Sequence, residues 1–210
     1  GYPYHMIDHV GVILAVMEEL RWKSCVLLGH SMGGGAAALF AGAFPEKVEK
    51  LITLDALGPF SAEADVFPDR VRKCFSDLIV TPTKKFPVYA TVEKALESRM
   101  NAFAAEKGAM KKIVERGLKP VKNGFAWRSD PRLKNESAQR LTEEQVLSLL
   151  KRITCPTLLI EGINGLKFPV SVYENRKLSV KNLTRHQVSG QHYPHLDSPE
   201  ETAAIIQSFI

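Results

Sequence analysis

The sequence predicts an α/β fold: a mostly parallel sheet with a helical insertion. Three observations carry this. Short apolar runs alternate with helix-patterned stretches towards both ends of the chain, the rhythm of βαβ units. A glycine-rich junction joins one of these runs to a helix. Between the two ends lies a charged, proline-broken segment of different character. The chain therefore reads as a sheet domain contributed by residues 1–59 and 153–210, with residues 60–152 inserted as a helical cap over one edge.

The elements follow in order. Within Tyr4–Leu20, residues Ile7, Val10, Leu14 and Met17 recur at three- and four-residue steps, the spacing of one buried helix face. Cys25–Gly29 is a short apolar run bounded by Lys23-Ser24 and by glycine, which predicts a strand buried on both faces of a parallel sheet. Met32–Ala43 is rich in Gly and Ala and predicts a helix that packs closely, closed by Phe44-Pro45. Val48–Leu54 reads as a second buried strand. The middle segment is broken at Pro68, Pro82, Pro87, Pro120 and Pro131 and is helical in pattern. Beyond Cys155-Pro156 come a strand at Thr157–Ile160, a helix at Val170–Leu178 and a strand at Thr184–Val188. A closing helix at Pro199–Ile210 has Ser198 as its N-cap and Pro199 at its first position.

Composition narrows the functional classes. The 210 residues are 45% hydrophobic and 24% charged, enough for one domain with a substantial core and too apolar for a disordered chain. No apolar run reaches the roughly 18–20 residues of a membrane span. The cysteines Cys25, Cys74 and Cys155 are too scattered for a disulfide framework. With no secretion signal in the opening GYPYHMID, they point to an intracellular compartment, cytoplasmic or peroxisomal. The net charge of +5 is uneven: residues 61–152 hold 19 Lys and Arg against 12 Asp and Glu, the rest 9 against 11. The basic residues alternate with Glu on helix-like stretches such as Val92–Arg116, the pattern of a solvated face, so no nucleic-acid partner is expected.

The chemistry concentrates in two places. Gly29-His30-Ser31-Met32-Gly33 fits G-x-S-x-G, with an apolar strand before it and a small-residue helix after it. In such an elbow the serine sits on a strained strand-to-helix turn. Side chains at Gly29 or Gly33 are expected to collide with neighbouring backbone. The N–H of Met32 is one expected oxyanion donor, and His30 is expected to line the pocket. The second place is Ser189–Pro199, after the last strand and before the last helix. A serine hydroxyl is a poor nucleophile until a base takes its proton, and His192 on this loop is the expected base, with His195 as the alternative. His5 and His9 stand one helical turn apart without a third ligand, which reads as a surface face rather than a metal site.

These residues resemble an α/β-hydrolase and, within that fold, the serine hydrolase-like (kraken-like) family. The resemblance runs through Leu28–Gly34, Phe44–Asp55, Trp127–Leu133 and Gly190-Gln191-His192 with His195, Leu196 and Pro199. It implies a catalytic histidine seven residues before the proline that opens the last helix. His192 and Pro199 keep that spacing. It also implies a Gly-x-x-Asp turn whose aspartate orients the histidine, yet Glu161-Gly162-Ile163-Asn164-Gly165 places glycine there. Asp55, at the end of the strand after the elbow, is a replacement acid, because some relatives supply it from there. An aspartate that caps the following turn is the competing reading of Asp55. Glu161 is a weaker candidate acid. The fold usually has earlier strands and a His-Gly loop before the elbow. Their absence predicts an unpaired apolar edge and a chain that continues at its front by roughly seventy to ninety residues.

The implied function is a serine hydrolase acting on a small-molecule carboxylic ester without metal or organic cofactor. Ser31 is the nucleophile, and Phe60, Phe67 and Trp127 are candidates for lining the substrate pocket. The other reading is a non-catalytic binding or scaffold protein of the same fold, motivated by Gly165.

Overall fold

The computed structural model describes residues 2–102, 107–166 and 168–210. In chain order its main elements are α1 (Asp8–Glu19), β1 (Cys25–His30), α2 (Met32–Ala43), β2 (Val48–Leu54), α3 (Phe67–Val80), α4 (Val92–Ala102), α5 (Lys107–Gly117), β3 (Leu118–Val121), β4 (Gly124–Trp127), α6 (Glu143–Leu150), β5 (Thr157–Gly162), α7 (Val170–Ser179), β6 (Leu183–Val188), α8 (Pro194–Asp197) and α9 (Pro199–Phe209). They divide into two compact units: His5–Phe67 with Gln139–Ile210, and Gly1–Tyr4 with Pro68–Ala138.

The larger unit is built on a sheet of order β1-β2-β5-β6. Each neighbouring pair is parallel, in registers that set His30 beside Leu54, Leu54 beside Ile160, and Gly162 beside Val188. The carboxyl ends of the strands therefore finish side by side. In open parallel sheets that edge is where ligands bind.

Burial follows the strand period. On one face Leu51 and Leu159 join Phe40, Met17, Val146, Leu150 and Ile153 in the main core. On the other, Ile52, Leu54, Leu158, Ile160 and Val188 meet Ile205, Ile206 and Phe209 of α9. The small residues of α2 bring its axis close to the sheet and to α6, where a side chain on Gly42 would press into Leu149. Phe40 is fully buried there, and its removal to alanine would cost about 3–5 kcal/mol.

Several expectations need correction. β1 is not buried on both faces: Val26 and Leu28 are about half exposed, because β1 is the edge strand and one of its faces has no helix over it among the described residues. The first helix begins at Asp8, so His5 precedes it and is not one turn from His9 on the same face. Ser198 stands at the N-cap of α9 without capping it; its hydroxyl donates to Ser189 O at 2.8 Å. Residues 139–152 pack with the larger unit, because Val146 and Leu150 of α6 bury in its core.

A buried cation not expected from the sequence also organises this unit. Arg176 of α7 is fully buried. It donates to Glu143 Oε1 and Oε2 at 2.8 and 2.6 Å and to the carbonyls of Leu57 and Pro59 at 3.1 and 2.8 Å. It thereby ties the chain that leaves β2 to α6 and α7.

The smaller unit contains α4, α5, most of α3 and an antiparallel hairpin of β3 and β4. The hairpin departs from the all-helical expectation. Its turn uses Asn123 at φ 72° and Gly124 at φ 139°, where a larger residue would be strained. Cys74, Ala95, Met110, Val114 and Leu118 are buried here.

Candidate active site

Ser31 follows β1 directly, and Asp55 follows β2 directly. Since β1 and β2 end in register, the two residues emerge from adjacent strands, with Ser31 N–H donating to Leu54 O at 3.0 Å and Asp55 N–H to Ile160 O at 2.8 Å. Both have positive φ, 53° and 50°. Non-glycine residues held there cost of order 1–3 kcal/mol each and cluster at functional sites. His192 comes from the loop between β6 and α8.

The three side chains meet in a line. Ser31 Oγ lies 2.7 Å from His192 Nε2, and His192 Nδ1 lies 2.7 Å from Asp55 Oδ2. An ionised carboxylate only accepts, so Nδ1 carries the proton and Nε2 is left to accept from the serine hydroxyl. Asp55 is almost fully buried and both of its oxygens accept from backbone as well: Gly162 N–H donates to Oδ1 at 3.3 Å and Leu166 N–H to Oδ2 at 2.7 Å. Asp55 thus accepts bonds from the imidazole, from the last residue of β5 and from the loop after it, and among the described residues it does not cap its own turn.

Gly165 explains how the carboxylate fits. A Cβ built on Gly165 would lie 2.6 Å from Asp55 Oδ2, inside any permissible contact. The space that a side chain at 165 would enter is the space the Asp55 carboxylate fills. Glu161 faces elsewhere, paired with Lys177 Nζ at 3.5 Å and Arg185 Nη2 at 3.6 Å.

The elbow glycines are not equivalent. A Cβ on Gly29 would fall 2.6 Å from Gly34 N, into the first turn of α2, whereas Gly33 faces open space. The expected collision holds for the first and not for the second, since Gly33 lies on the outer side of the helix and it is its own backbone that crowds Gly29. Met32 opens α2, so its N–H has no acceptor within the helix. Within the elbow, His30 reaches the histidine loop: its Nε2 lies 2.6 Å from His192 O. Burial lowers its pKa to about 4, against the opposing pull of that hydrogen bond. His195, the alternative base, packs edge-on against the His30 ring at 4.6 Å, and its Nδ1 is buried without a hydrogen-bond partner among the described residues. Burial lowers the pKa of His195 as well.

The aromatics expected to line a pocket belong to both compact units. Phe60 is half exposed and stacks on Phe168 at 4.9 Å, which stacks on Tyr173 at 4.8 Å. Phe67 begins α3 and is half exposed. Trp127 belongs to the smaller unit, under the Arg99 guanidinium at 5.7 Å, and lines a concavity of about 490 Å³ with Phe86 and Lys119. Among the described residues no cluster of three or more His, Cys, Asp or Glu could hold a metal ion, and no helix is long and apolar enough to cross a membrane.

Comparison with known proteins decides the family. Residues 2–199 match the model of the alpha/beta hydrolase fold. The chain belongs to that family. Among curated relatives, this hydrolase-fold chain is 29% identical to a probable serine hydrolase of Drosophila melanogaster, over the whole chain and 67% of the relative. It is 28% identical to a serine hydrolase-like protein of Danio rerio, over the whole chain and 66% of the relative. It therefore spans about two thirds of the length of these relatives. Among solved structures it is similar to a hypothetical protein of Pseudomonas aeruginosa PAO1, with a TM-score of 0.88 and 34% identity over the whole chain and 74% of that structure. The thioesterase domain from the curacin biosynthetic pathway shares the fold, with a TM-score of 0.76 over 97% of this chain and 72% of that one. The chain is thus a serine hydrolase-like α/β hydrolase, a fold that fits a small-molecule substrate.

Proposed function

We propose that this protein hydrolyses carboxylic esters of small or medium acyl compounds through an acyl-enzyme on Ser31. The observation that carries the reading is the continuous line from Ser31 Oγ through His192 to Asp55, with both steps at 2.7 Å. Ser31 Oγ attacks the ester carbonyl carbon as its proton passes to His192 Nε2. The oxyanion that forms takes a hydrogen bond from the Met32 N–H, aided by the positive end of α2. Collapse breaks the bond to the alcohol, which leaves with the proton from Nε2. Water then attacks the acyl carbon and gives its proton to Nε2; the bond from the acyl carbon to Ser31 Oγ breaks, Oγ takes that proton back, and the acid leaves. Asp55 holds the tautomer and stabilises the imidazolium at each half-reaction. The relatives named as serine hydrolases support the class of reaction.

The non-catalytic reading rested on the glycine at 165. A carboxylate from Asp55 in that space leaves it without that support. A fluorophosphonate probe tests the proposal. Wild-type protein is expected to be labelled at Ser31 and to hydrolyse p-nitrophenyl acetate, while Ser31→Ala does neither. An unlabelled wild type overturns the proposal.

A further inference from the structure

We propose that His30 is a positioning residue that clamps the backbone of the base His192 from the elbow itself. This rests on the reading of Ser31 and His192 above.

The geometry is a two-point grip. Neighbouring residues 30 and 31 both reach residue 192: Ser31 Oγ meets the imidazole Nε2 at 2.7 Å, and His30 Nε2 meets the main-chain carbonyl at 2.6 Å. A carbonyl oxygen only accepts, so His30 Nε2 carries the proton and donates. The rings of His30 and His192 lie 4.9 Å apart, and the rings of Tyr193 and His195 lie 5.1 and 4.6 Å from that of His30. Packing against three rings restricts the direction of the donor.

The rest of the loop shows why this clamp matters. Ser189 O accepts from Ser198 Oγ at 2.8 Å, Gly190 O accepts from Asn164 N–H at 3.0 Å, and Gln191 N–H donates to Asp197 Oδ2 at 2.8 Å. These tethers end one residue short of the base. At His192 itself, His30 is the donor to the carbonyl among the described residues. Without it, the residue that must stay within hydrogen-bond reach of both Ser31 and Asp55 is held at its main chain only through its neighbours. A misplacement of about 1 Å costs on the order of a hundredfold in rate.

The chemical identity of the clamp fits the reaction. During acyl transfer His192 becomes an imidazolium. A lysine or arginine donor at position 30 would place a second cation against it, whereas a neutral imidazole supplies the hydrogen bond without that charge. Burial keeps His30 neutral down to about pH 4.

The test compares His30→Gln, which keeps a neutral donor of similar reach, with His30→Phe, which keeps a ring and removes the donor. Each is measured for kcat and KM on p-nitrophenyl acetate, for the rate of fluorophosphonate labelling at Ser31, and for thermal stability. His30→Phe is expected to lose between about tenfold and a hundredfold in kcat with KM within about twofold, and to label more slowly by the same factor. His30→Gln is expected to stay within about threefold of wild type. Equal activity in His30→Phe and wild type overturns the inference. So does equal impairment of two folded variants, because ring shape and not the donor would then be what counts. If His30→Phe does not fold, His30→Asn, whose amide is too short to reach the carbonyl, takes its place with the same expected loss. Wild type that fails to label at Ser31 overturns the underlying hydrolase reading, and this inference with it. Wild type that labels while the variants do not differ overturns this inference alone.

Discussion

The turn that ends β2 and the turn that ends β5 lie side by side at the carboxyl edge of the sheet, and they have divided one task between them. The β2 turn supplies a carboxylate, Asp55, from a residue at φ 50°. The β5 turn has a glycine at the position where the resemblance led us to expect the acid. It contributes two backbone donors instead, the N–H groups of Gly162 and Leu166, which bind the Asp55 oxygens. A triad acid is defined by a point in space 2.7 Å from a histidine nitrogen. Position 165, on the adjacent turn, also lies beside that point. What the chain cannot do is occupy the point twice, since a Cβ at 165 would already lie 2.6 Å from Asp55 Oδ2.

The strongest way to break this comparison is Asp55→Asn. The amide nitrogen or oxygen of asparagine no longer enforces the tautomer with a proton on Nδ1, and it leaves the imidazolium without its counter-charge. The expected loss in kcat is about 10⁴-fold with the protein still folded. Steady-state hydrolysis of p-nitrophenyl acetate checks it, and a loss below about tenfold would remove Asp55 from the role of acid.

Next in size is the reverse change, Gly165→Asp. In the wild-type background it forces two carboxylates into the space of one, by steric overlap and by like-charge repulsion, and activity should fall by at least about a hundredfold with a lowered Tm. Combined with Asp55→Gly, the same substitution should recover about ten- to a hundredfold over Asp55→Gly alone, because an aspartate at 165 points its carboxylate at the vacated position. A double variant no better than the single one would show that the two turns are not interchangeable.

The same two turns mark what the sequence could and could not disclose. β2 and α2 were legible to the residue, because a short apolar run and a Gly- and Ala-rich helix leave little choice of partner. The resemblance separated His192 from His195 by its spacing to Pro199, and His192 is the one that lies 2.7 Å from both Ser31 Oγ and Asp55 Oδ2. The acid was legible only in part: the resemblance put Asp55 before Glu161, but which of them faces the imidazole depends on strand register and facing, which one sequence does not carry. The buried Arg176 was hidden too, since a lone arginine on a polar helix reads as solvated until its carboxylate partner Glu143 is known from elsewhere in the chain. The β3–β4 hairpin does carry a signal in the sequence: Asn123-Gly124 between short runs is hairpin chemistry, masked by Pro120 and by the surrounding charge. His30 left none, because the direction of a side chain on the elbow is set by the loop that packs over it.

Glu161→Gln is the gentlest probe of the comparison and the one that isolates position from chemistry. Glu161 is a carboxylate on the β5 side of the site, one residue before a donor to Asp55, yet it pairs with Lys177 and Arg185 and not with the histidine. If what matters is the point in space, kcat should stay within about twofold of wild type. Stability should fall by about 1–3 kcal/mol, because the largely buried Lys177 ammonium loses a charged acceptor and keeps Glu174 and the face of the Tyr173 ring. Denaturant unfolding and esterase kinetics on the same sample separate the two effects. A large kcat loss with unchanged stability would move the acid, or part of its field, from the β2 turn to the β5 turn, and the division of labour between the two turns would have to be redrawn.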